Sequence, residues 1–443
     1  MFIAVFLVVV LLVIGAIHWY LWKRLVKDVV TTRRGRRVGT LVVLLLGFLI
    51  PVTLIGSRVL PLRLQPVLAW PGFLWLALMF YLLVTLAMLE LPRLALRSWT
   101  RRTAPQPVDN SVDDSPLLVD SAARPVQDAV DGPAAAVDGG APAGPTQVVD
   151  GAEPARSSAE PLPAAAESRF DPSRRLLLGR SLAATAGVLS VGAVGIGTWQ
   201  AKSAPALKRI PIRLAKLPAS MTGFKIALVS DIHLGPLLGR SHTERIVRII
   251  NSVDADMVAI VGDLVDGSVA ELGPAAEPLQ DLKARHGSFF VTGNHEYFSG
   301  YQEWIDEVNS LGVRVLRNER LDIQGLDLAG VNDVTGEDVG DGPDFAKALD
   351  GRDRSRPVVV LAHQPVQAHE AAKHGVDLQL SGHTHGGQMV PFNLLVALEA
   401  PVVSGLGTVD GTQVYVTRGA GFWGPPVRFG APPDISIVEL HGA

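Results

Sequence analysis

The stretch FKIALVSDIH, residues 224–233, decides the fold of the C-terminal half of this 443-residue chain. Its apolar run predicts a buried strand, and the polar residues Asp231 and His233 follow where that strand ends. Four further apolar runs of the same kind lie at residues 257–261, 288–292, 357–362 and 376–380. Helices are predicted between several of these runs, so we expect an α/β fold whose sheet is covered on both faces.

The predicted helices lie at residues 240–253, 275–286, 301–311 and 366–374. Four histidines on these segments belong to no motif, and we expect them to face solvent: His242, His286, His369 and His374. A lone histidine on a helix is more often a surface residue than a ligand, so none of the four is a candidate for the site.

Polar clusters follow the predicted strands, at the strand ends where α/β folds form their active sites. They are DIH at 231–233, GDLVD at 262–266, GNHE at 293–296, His363, and GHTHGG at 382–387. The chain has no cysteine, which excludes disulfides, thiol catalysis and thiolate metal sites. Asp, His and Asn ligands without sulfur suit Mn, Fe, Zn or Ni ions. Seven candidate ligands exceed the need of one ion, so two divalent ions that share one carboxylate are the simplest interpretation.

These five motifs, in this order, resemble those of the calcineurin-like metallophosphoesterase superfamily. The longer strings GNHEYFSG, from residue 293, and DLQLSGHTHGGQ, from residue 377, look like its YkuE/YaeI-type membrane-associated branch. The resemblance covers about residues 220–440. It implies a four-layer α/β/β/α sandwich with the active site at one edge.

The resemblance also implies a role for individual residues. One metal ion would be held by Asp231, His233 and His385, and the other by Asn294, His363 and His383, with Asp263 bridging both. His295 and Asp266 would be the catalytic pair. His295 would contact phosphate and protonate the leaving oxygen, and Asp266 would orient or tune it.

Four further residues are candidates for contact with substrate. Arg418 and Arg428 carry the charge that pairs with phosphate, although surface ion pairs are the alternative. Asn332 and Asp333 follow an apolar run at 326–331, and a turn is the alternative use for them.

Three neighbours of these motifs leave two interpretations open. Glu296 is equally consistent with a supporting role at the site and with a solvent-facing position. Phe422 and Trp423 form either an apolar lip near the membrane or part of the core.

The N-terminal half has the composition of a membrane protein, and the mean hydropathy of the chain, +0.28, is high. Apolar runs that are long enough to cross a bilayer lie at about residues 1–22, 38–57, 67–89 and 181–201. We predict a transmembrane helix for each. A signal peptide is the alternative for the first run, and a buried soluble helix is the alternative for the fourth.

Charge separates the remaining segments. Residues 103–172 hold three basic and 12 acidic side chains and 11 prolines, which predicts a disordered acidic linker. Residues 203–443, the predicted phosphoesterase domain, hold 20 basic and 29 acidic side chains. That excess of acidic residues argues against nucleic acid as a partner.

Seven basic residues between positions 23 and 37 place that loop in the cytoplasm by the positive-inside rule. If all four runs span the membrane, we expect a multi-pass protein of the cell membrane whose domain from residue 203 onward lies outside the cytoplasm. The string SRRLLL at 173–178 also resembles a twin-arginine export signal, for which an ordinary positive flank is the alternative.

Taken with the resemblance, these features predict a membrane-anchored, metal-dependent phosphoesterase, for instance a manganese-dependent phosphatase. Its partners would be membrane lipid and a phosphoester substrate: a phosphomonoester, a phosphodiester or a pyrophosphate, including lipid and cell-envelope esters. The alternative is a metal-binding membrane receptor or scaffold without catalysis. A transporter is disfavoured because the spans contain almost no ionisable residue at mid-depth.

Overall fold

A computed structural model describes residues 2–96 and 172–442 of the chain. The predicted acidic linker, 103–172, lies outside the described residues except for its last position. Four long apolar helices precede a domain with two β-sheets. These helices are α1 (Phe2–Trp22), α2 (Arg33–Val59), α3 (Gln65–Ala95) and α4 (Pro172–Lys202).

All four helices are long and apolar enough to cross a membrane. A short π-helical segment, Lys23–Lys27, continues α1. At that end, charged side chains join this segment to α3. Arg24 lies 2.8 Å from Glu90, and Arg93 lies 3.1 Å from Asp28. These contacts tie the two helices together at their charged ends.

The C-terminal domain contains two six-stranded sheets. In spatial order, the first holds β1 (Ala206–Arg213), β12 (Asp434–His441), β2 (Phe224–Val229), β3 (Met257–Val261), β4 (Ser288–Val291) and β5 (Val313–Val315). The second holds β10 (Gly405–Val409), β11 (Thr412–Val416), β9 (Leu378–Ser381), β8 (Val358–Leu361), β7 (Leu326–Gly330) and β6 (Glu319–Ile323). Strands β2 to β5 are parallel, and so are β7, β8, β9 and β11. Their carboxyl ends therefore gather at one edge of each sheet.

Seven shorter helices cover or connect these sheets. They are α5 (Arg240–Asn251), α6 (Val269–Ala276), α7 (Asn294–Ser299), α8 (Tyr301–Ser310), α9 (Phe345–Leu349), α10 (Ala368–Lys373) and α11 (Asn393–Val396).

Alternation along the strands builds the layers, because successive side chains of a strand point to opposite faces. In β3, Met257 and Ala259 belong to the core between the sheets, whereas Val258 and Ile260 belong to the core under α5, α6 and α8. A third core lies between the second sheet and α9 and α10. The predicted four-layer α/β/β/α sandwich is confirmed.

Two local predictions are wrong. The helix expected over 275–286 is instead the end of α6 and a 3-10 turn, Glu277–Asp281. Pro278 has no N–H and cannot continue an α-helix there. His242 does not face solvent: its side chain on α5 is buried, with 6% of its surface exposed.

Candidate metal centre

Five predicted metal ligands share an uncommon backbone conformation. Their φ angles are positive, between 50° and 71°, at Asp231, His233, Asp263, His383 and His385. Residues other than glycine rarely adopt positive φ angles, because their Cβ atom crowds the backbone. Such strain concentrates at functional sites, where the surrounding structure holds it in place. The sharp turns after the strands aim these side chains toward one place.

Glycines let the loops that follow β3 and β4 touch. A Cβ atom at Gly262 would lie 2.6 Å from Nδ1 of His363 and 2.7 Å from Cα of Gly293. Gly262 also has a φ of +78°, which glycine adopts without steric cost. The close approach brings Asp263 beside the loop that carries Asn294.

One group of ligand atoms is formed by Asp231, His233 and His385, after β2 and β9. Nε2 of His233 lies 3.0 Å from Nε2 of His385, and that atom lies 3.5 Å from Oδ1 of Asp231. All three residues are buried. Their ligand atoms are close enough together to hold one metal ion.

A second group joins Asp263, Asn294, His363 and His383. Nε2 of His363 lies 3.1 Å from Oδ2 of Asp263 and 3.2 Å from Oδ1 of Asn294. Nδ1 of His383 lies 3.1 Å from the same Asn294 oxygen. Oδ2 of Asp263 also lies 3.8 Å from Nε2 of His233, so this carboxylate stands between the two groups.

The donor set fits divalent cations. Lone-pair atoms this close to one another repel unless a proton or a cation lies between them, and mixed imidazole, carboxylate and amide donors suit the metals that the sequence indicates. The structure brings all seven predicted ligands together, and their role as ligands stays a prediction.

Burial and the neighbouring charges set the pKa values of these groups. Burial lowers the pKa of His383 to about 4 and that of His385 well below its usual range. Both rings are therefore neutral at pH 7, as a metal ligand must be. Burial alone would raise the pKa of Asp263, but His363, His233 and His295 together outweigh it and hold that pKa well below the usual range. The residue between the two groups is thus a carboxylate.

Asp266 orients two histidines at once. Its Oδ1 lies 2.9 Å from Nδ1 of His233 and 2.7 Å from Nδ1 of His295. Burial lowers the pKa of His233, but the carboxylates of Asp266, Asp263 and Asp231 together outweigh it and raise that pKa to about 9. A cation at Nε2 of His233 must then displace a proton. His295 is half-buried, so its ring reaches the open side of the cluster.

Glu296 supports the site from below, a role that the sequence left open. The side chain is fully buried, and burial raises its pKa to about 7. It accepts the backbone N–H groups of Asp263 at 3.0 Å, Leu264 at 2.8 Å and Gly293 at 2.6 Å. The signal in the sequence is its place as the third residue of α7, where an acidic side chain reaches back to free N–H groups.

Arg428 and Arg418 occupy different environments. Nη1 of Arg428 lies 2.8 Å from Nδ1 of His385, and its Nη2 donates to the carbonyl oxygen of Arg418. Arg428 is fully buried, so it contacts a predicted ligand rather than the open side of the cluster. Burial lowers its pKa to about 10, which leaves it charged at pH 7. Arg418 is half-buried and packs against Gly386.

Asn332 and Asp333 are buried rather than exposed at the cluster. Oδ1 of Asp333 accepts from Nε2 of Gln364 at 3.0 Å and from the N–H of Thr335 at 2.9 Å. Nδ2 of Asn332 donates to the carbonyl oxygen of Asp341 at 2.9 Å. These bonds favour the turn that was the alternative interpretation, because both side chains hold loops together beside His363.

Comparison with known proteins agrees with this geometry. The family model for calcineurin-like phosphoesterases matches residues 224–387. An uncharacterized metallophosphoesterase of Helicobacter pylori strain J99 is 41% identical over 274 residues, which cover 61% of this chain and 73% of that protein. A protein of Danio rerio named "transmembrane protein with metallophosphoesterase domain" is 40% identical over 261 residues, 56% of this chain and 60% of its own.

More distant matches include the metallophosphoesterase YkuE of Bacillus subtilis, 29% identical over 52% of this chain and 83% of that protein. Among solved structures, the NAD nucleotidase of Haemophilus influenzae matches with a TM-score of 0.30 and 16% identity, over 45% of this chain and 50% of that one.

The two-sheet sandwich with a cluster of Asp and His residues at its strand ends defines a metallophosphoesterase domain. The chain belongs to the calcineurin-like phosphoesterase family.

Proposed function

We propose that the protein hydrolyses phosphoesters with two divalent metal ions. The observation that carries this proposal is the convergence of seven donor side chains in two groups, with the carboxylate of Asp263 between them. A site for one ion needs fewer ligands. A cluster with a purely structural role needs no proton donor on the side that is open to solvent. Here His295 occupies that side, held by Asp266.

We assign a separate role in hydrolysis to the metal ligands, to His295 and to Arg418. Divalent ions held by the two groups of donors would lower the pKa of bound water and neutralise charge on phosphoryl oxygens. His295 has its Nδ1 bound to Asp266, which leaves Nε2 to give a proton to the leaving oxygen. The bond from phosphorus to that oxygen breaks as a bond to a water oxygen forms, and that water releases one proton to solvent. Arg418, whose guanidinium has no acceptor among the described residues, is available for a phosphate oxygen.

We also propose that the four long helices anchor the domain in the cell membrane, with residues from 203 onward outside the cytoplasm. Their length and composition support the anchor. The seven basic residues at positions 23–37, where α1 ends and α2 begins, support the orientation. The Danio rerio relative bears a transmembrane name, which agrees with an anchored domain.

The test is hydrolysis of bis-p-nitrophenyl phosphate and p-nitrophenyl phosphate by the full chain with Mn²⁺, Fe²⁺, Zn²⁺ or Ni²⁺. We expect activity with at least one ion, Mn²⁺ first, and a fall in kcat of about 100-fold or more for His295→Ala, with bound metal retained. His369→Ala, on the exposed face of α10, is the matched control. Bound metal without hydrolysis would favour the silent receptor instead, and an unchanged rate for His295→Ala would refute its assigned role.

A further inference from the structure

An exposed apolar segment follows the last motif of the site. Residues 391–398, PFNLLVAL, carry no charge and include α11; we call them the apolar wedge. Leu394 and Leu398 are 67% and 80% exposed, and Phe392 and Leu395 are exposed beside them. Exposed apolar side chains concentrated in this way mark a surface that meets another apolar phase.

The wedge lies against α3, a candidate membrane span. The ring centroids of Phe392 and Phe80 are 6.2 Å apart. Phe429 belongs to a neighbouring loop, residues 427–429, and its ring centroid lies 5.7 Å from that of Tyr81 on α3. Phe80 lies ten residues beyond Trp70, which is about 15 Å of helix rise. The base of the wedge therefore lies at the level of the apolar middle of α3.

Helix α4 contacts the loop at residues 427–429, beside the wedge, on the apolar side of Lys202. A Cβ atom at Gly197 would lie 2.5 Å from Cγ1 of Val427 and 3.1 Å from the backbone N of Phe429. Only glycine allows the helix and this loop to approach so closely. Nζ of Lys202, five residues further along α4, lies 4.6 Å from the centre of the Trp70 ring. Tryptophan and lysine side chains at the end of a span mark its boundary with water. The loop beside the wedge thus reaches below that boundary.

The open side of the metal centre is at the boundary itself. The ring of Trp423, 57% exposed, lies 5.5 Å from the ring of His295. Gln388, three residues before the wedge, donates to the carbonyl oxygen of Trp423 at 2.9 Å. A Cβ atom at Gly424 would lie 4.0 Å from Phe73, which is one turn into α3 from Trp70. Trp423 is therefore the exposed lip that the sequence left open, while Phe422 is buried.

We propose that the apolar wedge inserts into the bilayer and that the metal centre takes a phosphoester carried by a membrane lipid. This inference rests on the proposed hydrolase function. The occupant is lipid because the wedge contacts one candidate span, α3, and the loop beside it contacts a second, α4. Both contacts lie beyond Trp70, below the level that a water-soluble partner reaches. The lipid's phosphate would then lie at headgroup level, beside Trp423 and His295.

Insertion can be measured without catalysis. Because the chain has no cysteine, Leu398→Cys provides a single site for an environment-sensitive fluorophore in the full chain in phosphatidylcholine vesicles. Val339→Cys, at an exposed apolar residue outside the wedge, is the control. We expect doxyl-labelled lipid to quench the label at 398, and aqueous iodide to quench the label at 339. Equal quenching by iodide at both positions would overturn the inserted wedge.

The substrate class is tested with two probes that share a leaving group. These are bis-p-nitrophenyl phosphate in water and hexadecyl p-nitrophenyl phosphate in the same vesicles. We expect Leu394→Gln/Leu398→Gln to lower the vesicle-to-soluble ratio of kcat/KM about tenfold or more, because burying two leucines contributes at least that much binding. Val339→Gln/Leu406→Gln should leave the ratio within about twofold.

The outcomes separate the two proposals. An unchanged ratio in the wedge variant, with both probes hydrolysed, would overturn lipid presentation and leave the hydrolase intact. Failure of the wild-type chain on both probes would overturn the hydrolase and the lipid substrate, while the quenching result would still decide insertion.

Discussion

Replacing Glu296 with glutamine tests how the fold positions the metal centre. One carboxylate oxygen accepts the N–H groups of Asp263 and Gly293, and the other accepts that of Leu264. A glutamine amide has one oxygen and one NH2 group, so in its better orientation one N–H loses its acceptor and faces a donor. A buried N–H without a partner costs about 1–3 kcal/mol. We therefore expect Glu296→Gln to lower the free energy of unfolding by about 2 kcal/mol.

The assay is thermal unfolding of the detergent-purified full chain, together with its metal content. A loss of that size lowers the Tm of a domain of 150–250 residues by about 4–8 °C. Metal content should fall as well, because the same loop carries Asp263. Glu303→Gln, an exposed residue on α8, is the matched control and should change stability by no more than about 0.5 kcal/mol. An unchanged Tm and full metal content in Glu296→Gln would show that Glu296 does not hold the loops of the metal centre in place.

Two further predictions concern groups beside the ligands and away from them. Asp266→Asn weakens the hydrogen bonds to both His233 and His295. The value of kcat should therefore fall about 10–100-fold, and the pH profile of kcat should shift. A pH profile equal to that of the wild type would contradict the positioning role of Asp266. Burial lowers the pKa of His242 to about 4, so between pH 6.5 and 4 the unfolded chain binds more protons than the folded one, and stability falls as pH falls. At pH 5 the wild-type chain loses about 2 kcal/mol of its free energy of unfolding. In His242→Leu, the drop in apparent Tm from pH 7 to 5 should be smaller than in the wild type by about 4–8 °C. A drop equal to that of the wild type would contradict the role assigned to His242.

The sequence predicts the part of the site that is local. The motifs DIH and GDLVD each follow an apolar run directly in the chain. The apolar run predicts a strand of the sheet, and the motif predicts the polar residues at the end of that strand. The four layers follow from the family resemblance, and the alternation of β3 confirms them. Helices long enough to cross a membrane can also be predicted from the sequence, because the length and hydropathy of a span depend only on about 20 adjacent residues.

What the sequence does not show depends on contacts between distant segments. Glu296 reaches Asp263, 33 residues earlier, and the Arg428 guanidinium meets His385, 43 residues earlier. The burial of His242 likewise depends on the elements packed around α5, which its own helix does not reveal. The wedge at 391–398 has too few residues to be recognised as a membrane segment until Phe80 is found beside it.

The proposed hydrolase depends on Asp263, which would join two metal ions into one hydrolytic centre. This proposal is tested most directly by measuring, on the same purified full-length samples, metal content by mass spectrometry and the rate of bis-p-nitrophenyl phosphate hydrolysis. We expect about two divalent ions per wild-type chain, as paired sites require, and in Asp263→Asn a loss of metal together with a fall in rate of about 100-fold or more. A wild-type chain that hydrolyses the ester without bound metal, or an Asp263→Asn variant with unchanged metal and rate, would contradict the account.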